Sequence, residues 1–191
     1  ASMLAAFGIN VTLIDRRTQM LRFLDLEIAQ ALEAQLQQNG VTMRLGQEYL
    51  DISVDHTARP TVHLQHGETV TADMLLYTMG RIGNIEALNL GAIGLTTDQQ
   101  GQLSVNTHYQ TDIPHIYATG DVIGFPALAA TAMEQGRLAA CHAFQLPDTH
   151  KPKVIPYGIY SIPEVSMVGL TEEELTTANI PHATGRAFFR E

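Results

Sequence analysis

Gly120-Asp121 is the pair in this chain with the most chemistry to offer. It closes the run Thr111-Asp112-Ile113-Pro114-His115-Ile116-Tyr117-Ala118-Thr119, whose last four residues predict a buried parallel strand. Such a strand would deliver Gly-Asp to the carboxyl edge of a sheet, where open α/β folds bind ligands. Gly120 lets a ligand approach the backbone, and the Asp121 carboxylate can accept hydrogen bonds from two neighbouring hydroxyls of a polyol. A helix expected from about Ala127 onward would aim its N-terminal N–H groups and positive dipole end at the same place. That arrangement favours an anion that develops during chemistry. The same residues would also serve as an ordinary strand-end turn.

A second candidate is Asp15, at the end of the strand Ile9–Asp15, with Arg16 and Arg17 directly after it. In a dinucleotide-binding unit an acid there bonds the adenosine ribose hydroxyls, and guanidinium groups suit a ribose 2′-phosphate. Together they suit a site accepting both NAD and NADP; a solvated turn is the competing reading. No G-x-G-x-x-G occurs in the chain, so the expected phosphate loop lies upstream of Ala1. Thr78-Met79-Gly80-Arg81-Ile82-Gly83-Asn84 follows another apolar run, and Arg81 either faces a pyrophosphate or sits on the surface. The eight histidines are scattered with no metal-ligand spacing, Cys141 reads as a buried inert thiol, and no Ser-His-Asp array is visible.

These residues need elements to hold them. Ala1 to Phe7 reads as the last turns of a helix closed by Gly8. Asp25 offers an N-cap to a helix carrying Ile28, Leu32 and Leu36, with Gly40 as its stop and Val41–Leu45 as the next strand. That alternation predicts a parallel α/β sheet. Residues 49–54, 61–65 and 69–71 alternate with period two and predict an inserted antiparallel meander. Asp73–Thr78 predicts a strand buried on both faces, and Ala127–Phe144 a long, mostly buried helix. Leu146–Lys153 reads as a linker, residues 155–167 as strand-like, and Thr171–Leu175 as a capped helix start. A further strand is expected to begin near Arg186.

Composition narrows the class. The chain has 191 residues, 45% of them hydrophobic and 16% charged, with a net charge of −9. It can bury a core, and it lacks the basic face of a nucleic-acid binder. No apolar run approaches the roughly 18 residues of a membrane helix, so no membrane partner is expected. One cysteine excludes a disulfide framework and suits a reducing, cytoplasmic setting.

Three stretches resemble motifs of the two-dinucleotide-binding flavoprotein disulfide reductase superfamily. Thr111–Asp121 is similar to its FAD-ribityl motif, Tyr77-Thr78-Met79-Gly80-Arg81 to the motif linking its NAD(P) and FAD domains, and Ile155–Gly169 to the entry of its dimerisation domain. Within the superfamily the likeness is closest to the soluble pyridine nucleotide transhydrogenases. Phe23-Leu24-Asp25, Gly80–Asn84 and Gly120–Ala130 carry that choice. Dihydrolipoyl dehydrogenases usually have proline where this chain has Gly83, and histidine where it has Ala130.

The resemblance implies an FAD enzyme that passes hydride between NADPH and NAD, assembled as a homodimer or larger homo-oligomer. It implies that Gly120, Asp121, Leu128 and the backbone at Ala129 touch FAD. Asp15, Arg16, Arg17, Tyr49 and the Thr78–Arg81 stretch would line the NAD(P) site. The fold expected is α/β, with incomplete Rossmann-like FAD and NAD(P) domains and the start of an α+β dimerisation domain. Residues 1–76 would be the NAD(P) domain without its glycine loop, 77–148 the closing part of the FAD domain, and 149–191 the start of the dimerisation domain. The chain would then be an internal piece of a longer protein, inactive alone and holding FAD weakly. A dihydrolipoyl dehydrogenase-like flavoprotein and a non-catalytic nucleotide-binding module are the alternatives.

Overall fold

The computed structural model describes residues 1–147 and 154–188. It divides into two compact units, Ala1–Leu76 with Pro156–Glu191, and Tyr77–Ile155.

The first unit is built on a β-α-β crossover. Strand β1 (Val11–Asp15) pairs in parallel with β2 (Val41–Leu45), in register from Val11↔Val41 to Asp15↔Leu45. After α1 (Ser2–Ala6), Gly8 turns the chain into β1 with φ +78°. Helix α2 (Leu26–Gln38) makes the crossover, and the Asp25 side chain accepts the Glu27 N–H at 3.1 Å as its N-cap. Ala5, Met20, Leu32, Leu36 and Val41 form the core. Ile28 is not on the buried stripe: it is 46% exposed, while Ala29 is fully buried. Eight residues on, an ideal helix has turned about 80° past two full rotations, so Ile28 lies well round from Leu36, while Ala29, seven residues before it, lies nearly in line.

The meander is present as expected. Strands β3 (Tyr49–Val54), β4 (Pro60–Leu64) and β5 (Thr69–Thr71) pair antiparallel in that order. In the β3–β4 turn, Asp55 accepts the Thr57 hydroxyl and the N–H groups of Thr57 and Arg59. These bonds hold its carboxyl below the usual range, the Thr57 hydroxyl contributing most.

Residues 73–78 correct the expectation of a doubly buried strand. They form no ladder with any described residue, and Met74 and Leu76 are 85% and 72% exposed. A strand exists only through pairing, and an apolar run without a partner strand stays irregular.

Strands β6 (Tyr157–Ile159) and β7 (Val165–Met167) pair antiparallel, so the strand-like stretch is a hairpin broken between them. Helix α4 (Glu172–Thr177) carries a full capping box, Thr171 Oγ1 accepting the Glu174 N–H and Glu174 Oε2 the Thr171 N–H. The start of α4 is cross-capped with that of α2. Leu26 N–H donates to Glu173 Oε1 at 3.1 Å, and Glu172 N–H donates to Asp25 Oδ2 at 3.2 Å. Arg186 adds a 2.6 Å ion pair to Glu27. Residues 186–188 are not in a strand, and 189–191 lie outside the described residues, as do 148–153 of the expected linker.

In the second unit, Leu95, Leu103 and Ala118 form a small core ringed by Val105, Ile113, Ile116 and Val122. The expected strand Ile116–Thr119 is only a single antiparallel bridge, Gln110↔Tyr117. The chain reverses within 111–116, where Ile116 N–H donates to Ile113 O and Thr111 Oγ1 to Ile116 O, so the segment pairs with its own preceding residues. Helix α3 (Ala129–Ala143) is shorter and less buried than expected. Thr131, Gln135, Leu138 and Ala139 make one buried face, and Met133 on another face is 72% exposed. Of its alanines, Ala139 is buried, while Ala129, Ala130, Ala140 and Ala143 are exposed.

Candidate functional site

In the second unit the site centres on Gly120. Its φ of +78° lies in the left-handed region that favours glycine, and a Cβ there would sit 3.2 Å from the Ala132 Cβ. The Gly120 N–H donates to Gln135 Oε1 at 2.7 Å in a buried bond. One 3₁₀ turn, Gly120–Ile123, then leads toward α3 and presents the Asp121 side chain at 44% exposure. Arg81 NH2 lies 2.7 Å from Asp121 Oδ2, so the structure brings together two of the residues singled out in the sequence.

Leu128 caps α3 in an extended conformation, and no side chain caps the helix. Ala129 is its first residue, and the Thr131 Oγ1 in the same turn is buried with no partner among the described residues. A carboxylate for hydroxyls, a close backbone approach, an uncapped helix start and an orphaned buried hydroxyl fit a polyol-bearing, partly anionic group such as FAD. Gly80 adopts φ +87°, its N–H donating to Thr78 O at 2.9 Å, and Thr78 and Met79 are exposed.

In the first unit Asp15 ends β1 and is clamped by Arg17. The Arg17 backbone N–H and Nε each reach Asp15 Oδ1 at 2.9 Å, and NH2 reaches Oδ2 at 2.5 Å. The Arg17 guanidinium holds the Asp15 carboxyl below the usual range, and Asp15 raises Arg17 in turn. Arg16 is exposed. Gln47 N–H donates to Asp15 O and Gly46 N–H to Arg17 O, so the turn leading to Tyr49 docks on the same strand end. Tyr49 is half-buried at the start of β3.

Gln135, and the packing role of Gly83, escaped the sequence reading. Gln135 buries a carboxamide in an alanine-rich helix, and its place four residues after Thr131 was the available signal. At Gly83 a Cβ would lie 2.2 Å from Gly101 O, a loop-to-loop contact with no local signature. Cys141 is half-buried, with Arg137 NH1 at 3.9 Å from its sulfur. Among the described residues no group of three His, Cys, Asp or Glu could hold a metal, and no helix is long and apolar enough to cross a membrane.

The parallel β-α-β crossover and the acid that ends β1 define a partial Rossmann-like α/β protein. The chain belongs to the pyridine nucleotide-disulphide oxidoreductase family, whose model matches residues 1–136. It is 47% identical over all 191 residues to a soluble pyridine nucleotide transhydrogenase of Mycobacterium bovis, and 44% identical to one of Vibrio atlanticus. In both cases it spans 41% of the relative's length. Among solved structures, the HOCl-induced flavoprotein disulfide reductase RclA of Escherichia coli superposes with a TM-score of 0.81 at 27% identity. LpdA of Mycobacterium tuberculosis gives 0.83 at 25% identity. These matches cover 92% and 93% of this chain and 40% and 39% of the other.

Proposed function

We propose that the complete protein is an FAD-dependent transhydrogenase of the Si-specific type, moving hydride between NADPH and NAD. The observation that carries this is the 47% identity over the whole chain to a relative named for that activity. Bound FAD would supply the two-electron carrier. The chain's own residues bind and orient: Asp121 accepts ribityl hydroxyls, Gly120 and Leu128 allow close approach, and the Ala129 end of α3 offers N–H groups to a polar edge. Asp15 and Tyr49 with Arg16 and Arg17 receive the adenosine side of a nicotinamide nucleotide. Both nucleotides are substrates.

In this reading residues 1–76 belong to the NAD(P) domain, 77–148 to the FAD domain and 149–191 to a dimerisation domain. The protein is a cytoplasmic homo-oligomer, and the 191-residue chain alone is inactive. The test is NADPH-dependent reduction of an NAD analogue by the complete protein without lipoamide. Turnover supports the proposal. Lipoamide turnover without nucleotide exchange overturns it in favour of a dihydrolipoyl dehydrogenase, and a colourless protein that takes up no FAD favours a non-catalytic module.

A further inference from the structure

Gln135 is 4% exposed, and its Oε1 accepts the Gly120 N–H at 2.7 Å. A buried carboxamide is costly unless it is bonded, so its retention in an alanine-rich helix calls for a partner, and among the described residues its Oε1 finds one in this amide. The Gly120 N–H bonds to α3 rather than into a strand ladder, and the left-handed φ of Gly120 turns the following chain into the Gly120–Ile123 turn. On the same side the Ala132 Cβ fills the space a Gly120 side chain would need. The Thr119–Gly120 peptide, one residue ahead of Asp121, is therefore held from one helix by a buried bond, on a side where Ala132 leaves no room for a side chain at Gly120.

We infer that Gln135 is a positioning residue for Asp121. By holding the Gly120 amide it sets the direction in which the Asp121 carboxylate leaves the backbone, and so its alignment with the paired hydroxyls of FAD. This rests on the proposed role of Asp121 as hydroxyl acceptor. Without the acceptor on Gln135, the Gly120 N–H is buried and unpaired. The turn then rotates to satisfy it and carries the carboxylate out of line.

The complete protein tests this through three variants. Gln135→Leu keeps the bulk and removes the acceptor, Gln135→Glu keeps an Oε acceptor at the same reach, and Met133→Ala on the exposed face of α3 is the control. Flavin retained per protein is read from visible absorbance, and rebinding of FAD to the deflavinated protein from fluorescence quenching. Gln135→Leu should weaken FAD by about tenfold, the loss expected for one well-made hydrogen bond, while Gln135→Glu stays within about threefold. Met133→Ala should match the wild type.

The inference is overturned if Gln135→Leu binds FAD as tightly as wild type, or if a folded Gln135→Glu loses it as fully as Gln135→Leu. Should Gln135→Leu not fold by circular dichroism, Gln135→Glu decides alone: retained flavin supports the inference and lost flavin overturns it. A wild-type protein that takes up no FAD removes the proposed function and this inference together. A coloured wild type with equally coloured Gln135→Leu removes the inference only.

Discussion

Arg81 NH2 stands 2.7 Å from Asp121 Oδ2, joining the loop after residue 80 to the turn after Gly120. Both side chains remain solvated, at 77% and 44% exposure, so the pair gains little from Coulomb attraction. Arg81→Ala should therefore cost no more than about 1 kcal/mol of stability by urea denaturation.

Asp121 itself should matter far more for the cofactor than for folding. Among the described residues its carboxylate accepts no backbone hydrogen bond, so removing it orphans no buried group there. Asp121→Ala in the complete protein should weaken FAD by more than about tenfold, since bonds to a charged acceptor are among the stronger ones. Wild-type-like melting together with loss of visible flavin absorbance is the expected result. Full colour after gel filtration would remove Asp121 from the site.

Arg17 is bound to Asp15 through Nε and NH2, so its loss acts twice on a 2′-phosphate. Arg17→Ala removes a positive charge and leaves the Asp15 carboxylate uncompensated. NADPH binding should weaken more than NADH binding, by about tenfold in the ratio of dissociation constants. Titration of both nucleotides against the variant checks this; equal losses would mean Arg17 does not reach the phosphate.

The same clamp carries a pH signature. Arg17 holds the folded Asp15 below its ordinary value of 3.8, so the pair's stability is present above that value and is lost as pH falls through the depressed folded value. Urea midpoints at about pH 6 and about pH 3 should differ less in Arg17→Ala than in wild type. A part of the slope remains, because Asp55 and Glu134 are lowered with the same sign.

Helix α2 offers a packing test. Leu32 is 4% exposed within the core, whereas Ile28 is 46% exposed. Leu32→Ala should cost about 2–5 kcal/mol and Ile28→Ala less than about 1 kcal/mol, compared by chemical denaturation.

What could be read along the chain was what neighbours in sequence enforce on one another. Asp25 caps α2, Thr171 and Glu174 close a capping box, and Gly8 and Gly40 turn with positive φ because only short-range sterics and bonds are involved. The meander at 49–71 followed from period-two alternation, and the parallel β1–β2 pair from the helix between them. The stripe on α2 was legible in kind but displaced from Ile28 to Ala29, because four-residue spacing drifts around a helix with 3.6 residues per turn.

The candidate site was legible as residues and not as relationships. Gly120, Asp121, Asp15 and Arg17 stand out by type and place, and Arg17 beside Asp15 is close to a sequence-local fact. That Arg81 pairs with Asp121, that Gln135 holds Gly120, and that Gly83 meets Gly101 depend on which loops the fold brings together. Met74 to Tyr77 shows the same limit from the other side, since an apolar run is a buried strand only where tertiary structure supplies a strand beside it. The sequence by itself determined caps, turns, periodicities and the identity of the polar groups. Only the tertiary structure decided their partners, because a hydrogen bond or an ion pair needs two groups within about 3 Å and the chain alone does not say which distant segments come that near.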